Sequence, residues 1–294
     1  MKPEIAVLDI QGQYRIHTEF YRGEAAENTI ILVNGSMATT ASFAQTLKNL
    51  HPQLNVVLYD QPYAGKSKPH NAHQRFLTTE IEAQILRELI EHFAADYLMS
   101  FSWGATAALT ALAANPKGIK KAVVSSFSPV INDPMRDYLE RGLDGLFARN
   151  RPQVANLVNN TLGKHLPSLF KRFNFKHVST LTDHEYAQMH FHIDQVLHGD
   201  RLFYLNAAKG IDIPLLFING AWDEYTACEG VQHFAPHILD CQFMSLPHTG
   251  HFLDMEHKSA SQEYKAALLG FLCATPEKRH QPYAALHAHK SLAL

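Results

Sequence analysis

What the chain lacks narrows its chemistry first. It has only three cysteines, Cys228, Cys241 and Cys273. The odd number and the absence of paired spacing argue against a disulfide framework or a cysteine-bound zinc, so these read as buried or half-buried thiols. No apolar run approaches the length of a membrane span, and MKPEIAVLDI lacks the basic, apolar and small-residue zones of a secretion signal. No transmembrane segment and a cytoplasmic location are expected. The formal net charge is only −2, which gives no global attraction to nucleic acid or an anionic membrane. Although there are 19 histidines, no H-E-x-x-H occurs, and His190 and His192 stand two apart, the wrong spacing for one helix face; no metal is expected. Gly65-Lys66-Ser67 resembles the end of a phosphate loop, but Asp60 occupies the place of the required first glycine. No bound cofactor is expected.

What is present is a long apolar-rich chain, 294 residues and 46% hydrophobic, enough for one large core and an insertion. EIAVLDI and YRIHTEF read as a hairpin, and TIILVNG, the run Leu54 to Tyr59, Tyr97 to Phe101 and Lys121 to Phe127 as buried strands. Helices are expected between them, over about Thr40 to Leu50, from Thr79 with a capping box to Glu82, and over Trp103 to Ala114. Alternation resumes with IPLLFING, a helix near Cys228 to Ile238, the strand CQFMSLP and a helix over about Ser259 to Cys273. The expected fold class is α/β, a mostly parallel central sheet flanked by helices. Residues 1–128 and 210–274 form its core, 129–209 an inserted helical cap, and 275–294 an arm or disordered tail.

The chemistry centres on Ser100-Phe101-Ser102-Trp103-Gly104, which joins the strand YLMSF to the small-residue helix ATAALTALAA. A sharp strand-to-helix turn exposes a serine beside backbone amides and a helix N-terminus, the combination acyl transfer needs. Ser100 replaces the usual first glycine of G-x-S-x-G. A serine at such a place also serves as a plain helix cap, so its partners matter. Ala221-Trp222-Asp223-Glu224 follows one late strand and His248-Thr249-Gly250-His251-Phe252 follows the next, giving the chain order Ser, Asp, His of an α/β-hydrolase triad. Ser102 is the expected nucleophile, His251 its base and Asp223 the orienter of the base. Glu224 and His248 are local rivals, each less deep in its loop. The oxyanion hole is expected from the amides of Trp103 and Ser36, the latter in Asn34-Gly35-Ser36-Met37, where Gly35 permits close approach. Asn34 and Met37 are expected to line the substrate pocket. The turn Asp60 to Ser67 is expected to shape its rim.

The chain resembles two sister families over nearly its full length: the (R)-3-hydroxyacyl-acyl-carrier-protein:CoA transacylases or thioesterases of medium-chain polyhydroxyalkanoate synthesis (PhaG type), and the synthases that join two 3-hydroxyacyl groups for rhamnolipids (RhlA type). MKPEIAVLDIQGQYRIHTEFY, FNFKHVSTL, EYAQMHFHIDQVL and TGHFLDMEHK carry the likeness to the first, and Trp222-Asp223-Glu224-Tyr225-Thr226 is similar to both. The resemblance implies an α/β-hydrolase fold and a medium-length (R)-3-hydroxyacyl chain on acyl carrier protein. The carrier's phosphopantetheine and CoA are then substrates, and acyl carrier protein a transient acidic partner. It also brings an H-x4-D motif that this chain does not fit, because His177 is followed by Asp183, one place too far. His192 is expected to touch the substrate's hydroxyl.

On this reading Ser102 attacks the thioester and the acceptor decides the product: water, CoA or the hydroxyl of a second acyl chain. A noncatalytic receptor on the same fold is the alternative from another class. No Asp or Glu lies between Gly145 and Thr182, and Arg149, Arg151, Lys171, Arg172 and Lys176 are expected to receive the carrier. A merely solvated cap face fits the same charges.

Overall fold

The computed structural model describes residues 1–72, 75–199 and 202–274. The apolar runs become one eight-stranded sheet, β1 (Glu4–Ile10), β2 (Tyr14–Tyr21), β3 (Thr29–Val33), β4 (Asn55–Tyr59), β5 (Tyr97–Phe101), β6 (Lys121–Ser125), β7 (Leu215–Gly220) and β8 (Cys241–Leu246). Their spatial order is β1-β2-β4-β3-β5-β6-β7-β8. The β1–β2 hairpin runs antiparallel and the strands from β4 through β8 pair parallel. β3, β6 and β7 are buried along their whole length, as strands covered on both faces must be.

Alternate residues serve the two faces. Ile31 and Val33 join α2 (Thr79–His92) and α3 (Gly104–Ala113) on one side, whereas Ile30 and Leu32 face α1 (Ala44–Leu50) and α10 (Lys258–Leu272) on the other. Among the described residues no helix is long and apolar enough to cross a membrane.

Three local expectations change. Thr79–Glu82 is not a capping box: Thr78 is the N-cap of α2, and Glu82 is buried with its carboxylate accepting from the Tyr63 hydroxyl at 2.8 Å. The helix near Cys228 breaks into α9 (Cys228–Val231) and a 3-10 turn over Gln232–Phe234, because Pro236 can neither donate nor continue the turn. Cys273 is exposed rather than half-buried.

Between β6 and β7 lie α4 (Asp133–Phe147), α5 (Arg151–Asn160), α6 (Ser168–Thr180), α7 (Asp183–His198) and α8 (Phe203–Ala208). The first four share an apolar core, with Tyr138, Val154, Leu157, Val178 and Met189 in it, and Trp103, Met37 and Phe252 packed beneath. α8 differs: it lies on α3 and its Ala208 belongs to the sheet core, so this stretch of the expected cap is part of the core layer. The expected arm, 275–294, lies outside the described residues.

Candidate active site

β5 ends at Phe101, and the turn begins at Ser102, whose φ of +51° places a non-glycine residue in the left-handed region. Such strain persists only where neighbours hold it. Here the Ser102 amide donates to the Ser125 carbonyl at 2.9 Å, tying the turn to β6, and α3 begins two residues later. Gly104 is required for that exit, since a Cβ there would lie 2.4 Å from the Asn34 carbonyl oxygen. At Ser100 the serine is accommodated without a glycine; it is wholly buried, and its hydroxyl has no hydrogen-bond partner among the described residues.

Three loops converge on the serine. His251 Nε2 lies 3.0 Å from Ser102 Oγ, and His251 Nδ1 lies 2.7 Å from Asp223 Oδ2. A carboxylate only accepts, so Nδ1 carries the proton and Nε2 is left to receive the serine's. Asp223 also accepts from the amides of Tyr225 at 3.0 Å and Thr226 at 3.2 Å and from the Thr226 hydroxyl. Burial pushes its carboxyl up, but the His251 ring, with these bonds, outweighs that and holds it at about 2. The rivals stand apart. Glu224 is exposed and pairs with Lys164 at 2.9 Å, and His248 is exposed beside Trp222.

The loop that carries His251 is clamped by a residue that sequence reasoning missed. Glu256 accepts from the amides of Gly250 at 2.7 Å and Phe252 at 3.1 Å, bracketing the histidine on both sides. Thr226 was missed too. An acid five residues beyond a candidate base is the only signal for the first, and it needs the folded loop to be meaningful.

Trp103 follows Ser102 in the chain, and Ser36 lines the same cavity as Ser102. Trp103 opens α3, where amides have no carbonyl a turn below. Gly35 brings the other loop close: its Cβ would lie 3.3 Å from Phe101 O and 3.4 Å from Ser102 Cβ. Met37, at φ +54°, lines the cavity at Ser102 and presents its carbonyl to His177 Nε2 at 2.7 Å. Asn34 borders the same cavity, but its side-chain amide donates to the Tyr59 carbonyl at 3.1 Å. That bond joins the ends of β3 and β4 beside the cavity.

His192 does not line the Ser102 cavity. Its ring is 1% exposed, stacks on Trp103 at 4.8 Å and donates from Nε2 to the Leu77 carbonyl at 2.9 Å. Glu82 lies 3.6 Å from it; burial pushes that carboxyl up, opposed by His192 and by the bond from Tyr63. The cluster supports the Trp103 side of the oxyanion turn from behind. Asp60 plays a similar part for the turn Asp60–Ser67, accepting from the amides of Thr40 at 2.7 Å and Lys66 at 2.8 Å.

The cavity over Ser102 has a volume of about 110 Å³. Tyr138, Val158, Leu162 and Val178 of the cap give it an apolar roof, while Thr46 and Asp254 form a polar corner. Asp254 accepts from the Thr46 hydroxyl at 2.6 Å, and burial lifts its carboxyl to about 6 against that bond. Of the expected carrier contacts, Arg149 and Arg151 both pair with Asp183, and Lys171 donates to the Lys164 carbonyl at 2.7 Å. Arg172 and Lys176 are exposed.

Residues 28–258 match the family model described as "alpha/beta hydrolase fold". An (R)-3-hydroxydecanoyl-ACP:CoA transacylase of Ectopseudomonas oleovorans is 64% identical over 285 residues, covering 96% of this chain and 97% of its own length. The protein of that name from Pseudomonas aeruginosa is 57% identical over 272 residues, 92% of this chain and 91% of its own. Among solved structures, an esterase from Exiguobacterium antarcticum superposes with a TM-score of 0.76 at 16% identity, covering 93% of this chain and 100% of its own. MGS-M2, an α/β-hydrolase enzyme from a deep-sea metagenome library, gives 0.75 at 20% identity, covering 92% and 98%. These two likenesses concern the fold.

Proposed function

The chain belongs to the α/β-hydrolase fold family and, within it, to the (R)-3-hydroxydecanoyl-ACP:CoA transacylases, and from that premise we propose that Ser102 carries the acyl group in transit. It is an acyltransferase. The donor is a medium-chain (R)-3-hydroxyacyl group on acyl carrier protein, and the acceptor is CoA or water, supplying precursors for medium-chain polyhydroxyalkanoate. The observation that carries the role of Ser102 is the unbroken relay from Asp223 through His251 to its hydroxyl, at 2.7 and 3.0 Å, beneath an apolar roof.

In the first half-reaction His251 Nε2 takes the proton as Ser102 Oγ bonds to the thioester carbon. The oxyanion meets the amides of Ser36 and Trp103. Collapse breaks the carbon–sulfur bond, and the imidazolium returns the proton to the departing phosphopantetheine thiol. In the second half-reaction the same base takes the proton of the CoA thiol, or of water, as its sulfur or oxygen bonds to the acyl carbon, and returns it to Ser102 Oγ as the ester bond breaks. The cap's apolar lining favours the thiol over water. No resident cofactor takes part in either half. Carrier and CoA as substrates support a cytoplasmic location.

Product analysis tests the reading. Incubation with (R)-3-hydroxydecanoyl carrier protein and CoA is expected to give the CoA ester, and omission of CoA only slow release of free acid. A dimeric ester would assign the chain to lipid synthesis, and no product with either acceptor would leave a ligand-binding protein.

A further inference from the structure

α6 is the least embedded helix of the cap. Of its 13 residues only Val178 is buried, and Leu169 and Phe173 are 50% and 60% exposed. Leu169, Arg172, Phe173 and Lys176 recur at i, i+3, i+4 and i+7, so they form one outward stripe in which apolar and cationic side chains alternate. A free helix face rarely spends a leucine and a phenylalanine on solvent in adjacent turns; such a patch marks a contact surface.

The charges select its occupant. No Asp or Glu occurs between Gly145 and Thr182. Arg149 and Arg151 share the single carboxylate of Asp183, and Lys164 pairs with Glu224. Among the described residues no carboxylate pairs with Arg172 or Lys176, which puts two uncompensated positive charges on the stripe itself, beside Lys171, whose ammonium donates to the Lys164 carbonyl. The opposite side of α6 reaches the chemistry: Asn174, His177 and Val178 line the cavity over Ser102. A partner on the outer stripe is therefore about one helix diameter, ~10 Å, from the cavity wall, within reach of an acyl group delivered on a flexible arm.

We infer that Leu169, Arg172, Phe173 and Lys176 of α6 are the docking surface for acyl carrier protein, with Arg172 and Lys176 meeting its carboxylates and Phe173 filling an apolar gap between them. Arg149, Arg151 and Lys171 take no direct part. The inference rests on the carrier being the acyl donor and adds where it lands. Desolvated aromatics at the centre of a contact supply affinity, and unpaired rim charges speed encounter.

The test compares two donors, (R)-3-hydroxydecanoyl carrier protein and the same acyl group on free pantetheine. Arg172→Glu/Lys176→Glu and, separately, Phe173→Ser are expected to lower kcat/KM with the carrier-bound donor by about tenfold or more. With the pantetheine donor both should stay within about twofold of the unsubstituted protein, which also shows that they fold. Arg149→Ala should change neither. Equal losses on both donors, or no loss on either, would overturn the docking surface. So would loss of binding to phosphatidylglycerol vesicles while carrier kinetics stay unmoved, which would make the stripe a membrane contact. If the unsubstituted protein turns over neither donor, the acyl-transfer reading fails and the docking surface falls with it.

Discussion

His177 Nε2, on cap helix α6, lies 2.7 Å from the carbonyl oxygen of Met37, in the loop that carries Ser36 to the cavity over Ser102. A carbonyl cannot donate, so Nε2 carries the proton, and the bond pins a residue held at φ +54°. The expected consequence of His177→Phe, which keeps a ring but loses the donor, is a loose oxyanion loop. Steady-state kinetics with a pantetheine thioester should show kcat down by about tenfold or more and KM changed much less. An equal rise in KM with kcat intact would make His177 a substrate contact instead.

The Asp223 carboxyl, raised by burial but lowered further by His251 and Thr226 to about 2, starts from an ordinary 3.8. Its folded pKa is depressed, so the stability it contributes is present above about pH 4 and lost as pH falls towards 2. Between about pH 4 and 9 it stays charged and adds no limb to the rate profile. Asp223→Asn should therefore lower kcat/KM by about 10³-fold or more across that whole window, because the amide favours the wrong imidazole tautomer. A loss confined to one end of the window would contradict this role.

Asp254 has the opposite sign. Burial lifts it from 3.8 to about 6, so between about pH 4 and 6 the folded chain holds a proton the unfolded chain has released. Stability falls as pH rises through that window. Asp254→Asn keeps an acceptor for the Thr46 hydroxyl and removes the cost. Urea unfolding should find it more stable than the parent by up to about 2 kcal/mol at pH 8, discounted because the group faces an open cavity, and no more stable at pH 4. A gain independent of pH would point to packing rather than charge.

Much of this was legible in the chain because the parts that carry chemistry are local. The turn at Ser102 needs a strand, a serine and a small-residue helix in succession, and Asp223 and His251 each follow a buried strand. What the sequence hides is which distant side chain meets which. Glu82 sits three places after Thr79 and reads as a cap, yet it points inward to Tyr63 and His192. His192 reads as a substrate contact because nothing local shows that its ring is buried against Trp103. Arg149 and Arg151 look free within their acid-less stretch, but Asp183 lies just beyond its end and folds back onto both. Periodicity marks a helix face; only packing decides which face meets a partner.

The central claim is that the Ser102 hydroxyl becomes an ester during turnover. Rapid mixing with (R)-3-hydroxydecanoyl-pantetheine in the absence of CoA, quenching in acid and peptide mass spectrometry tests it directly. One 3-hydroxydecanoyl group should appear on the peptide containing Ser102, vanish when CoA is added, and be absent from Ser102→Ala. Unmodified Ser102 throughout, with Ser102→Ala consuming the thioester at an undiminished rate, would contradict the account.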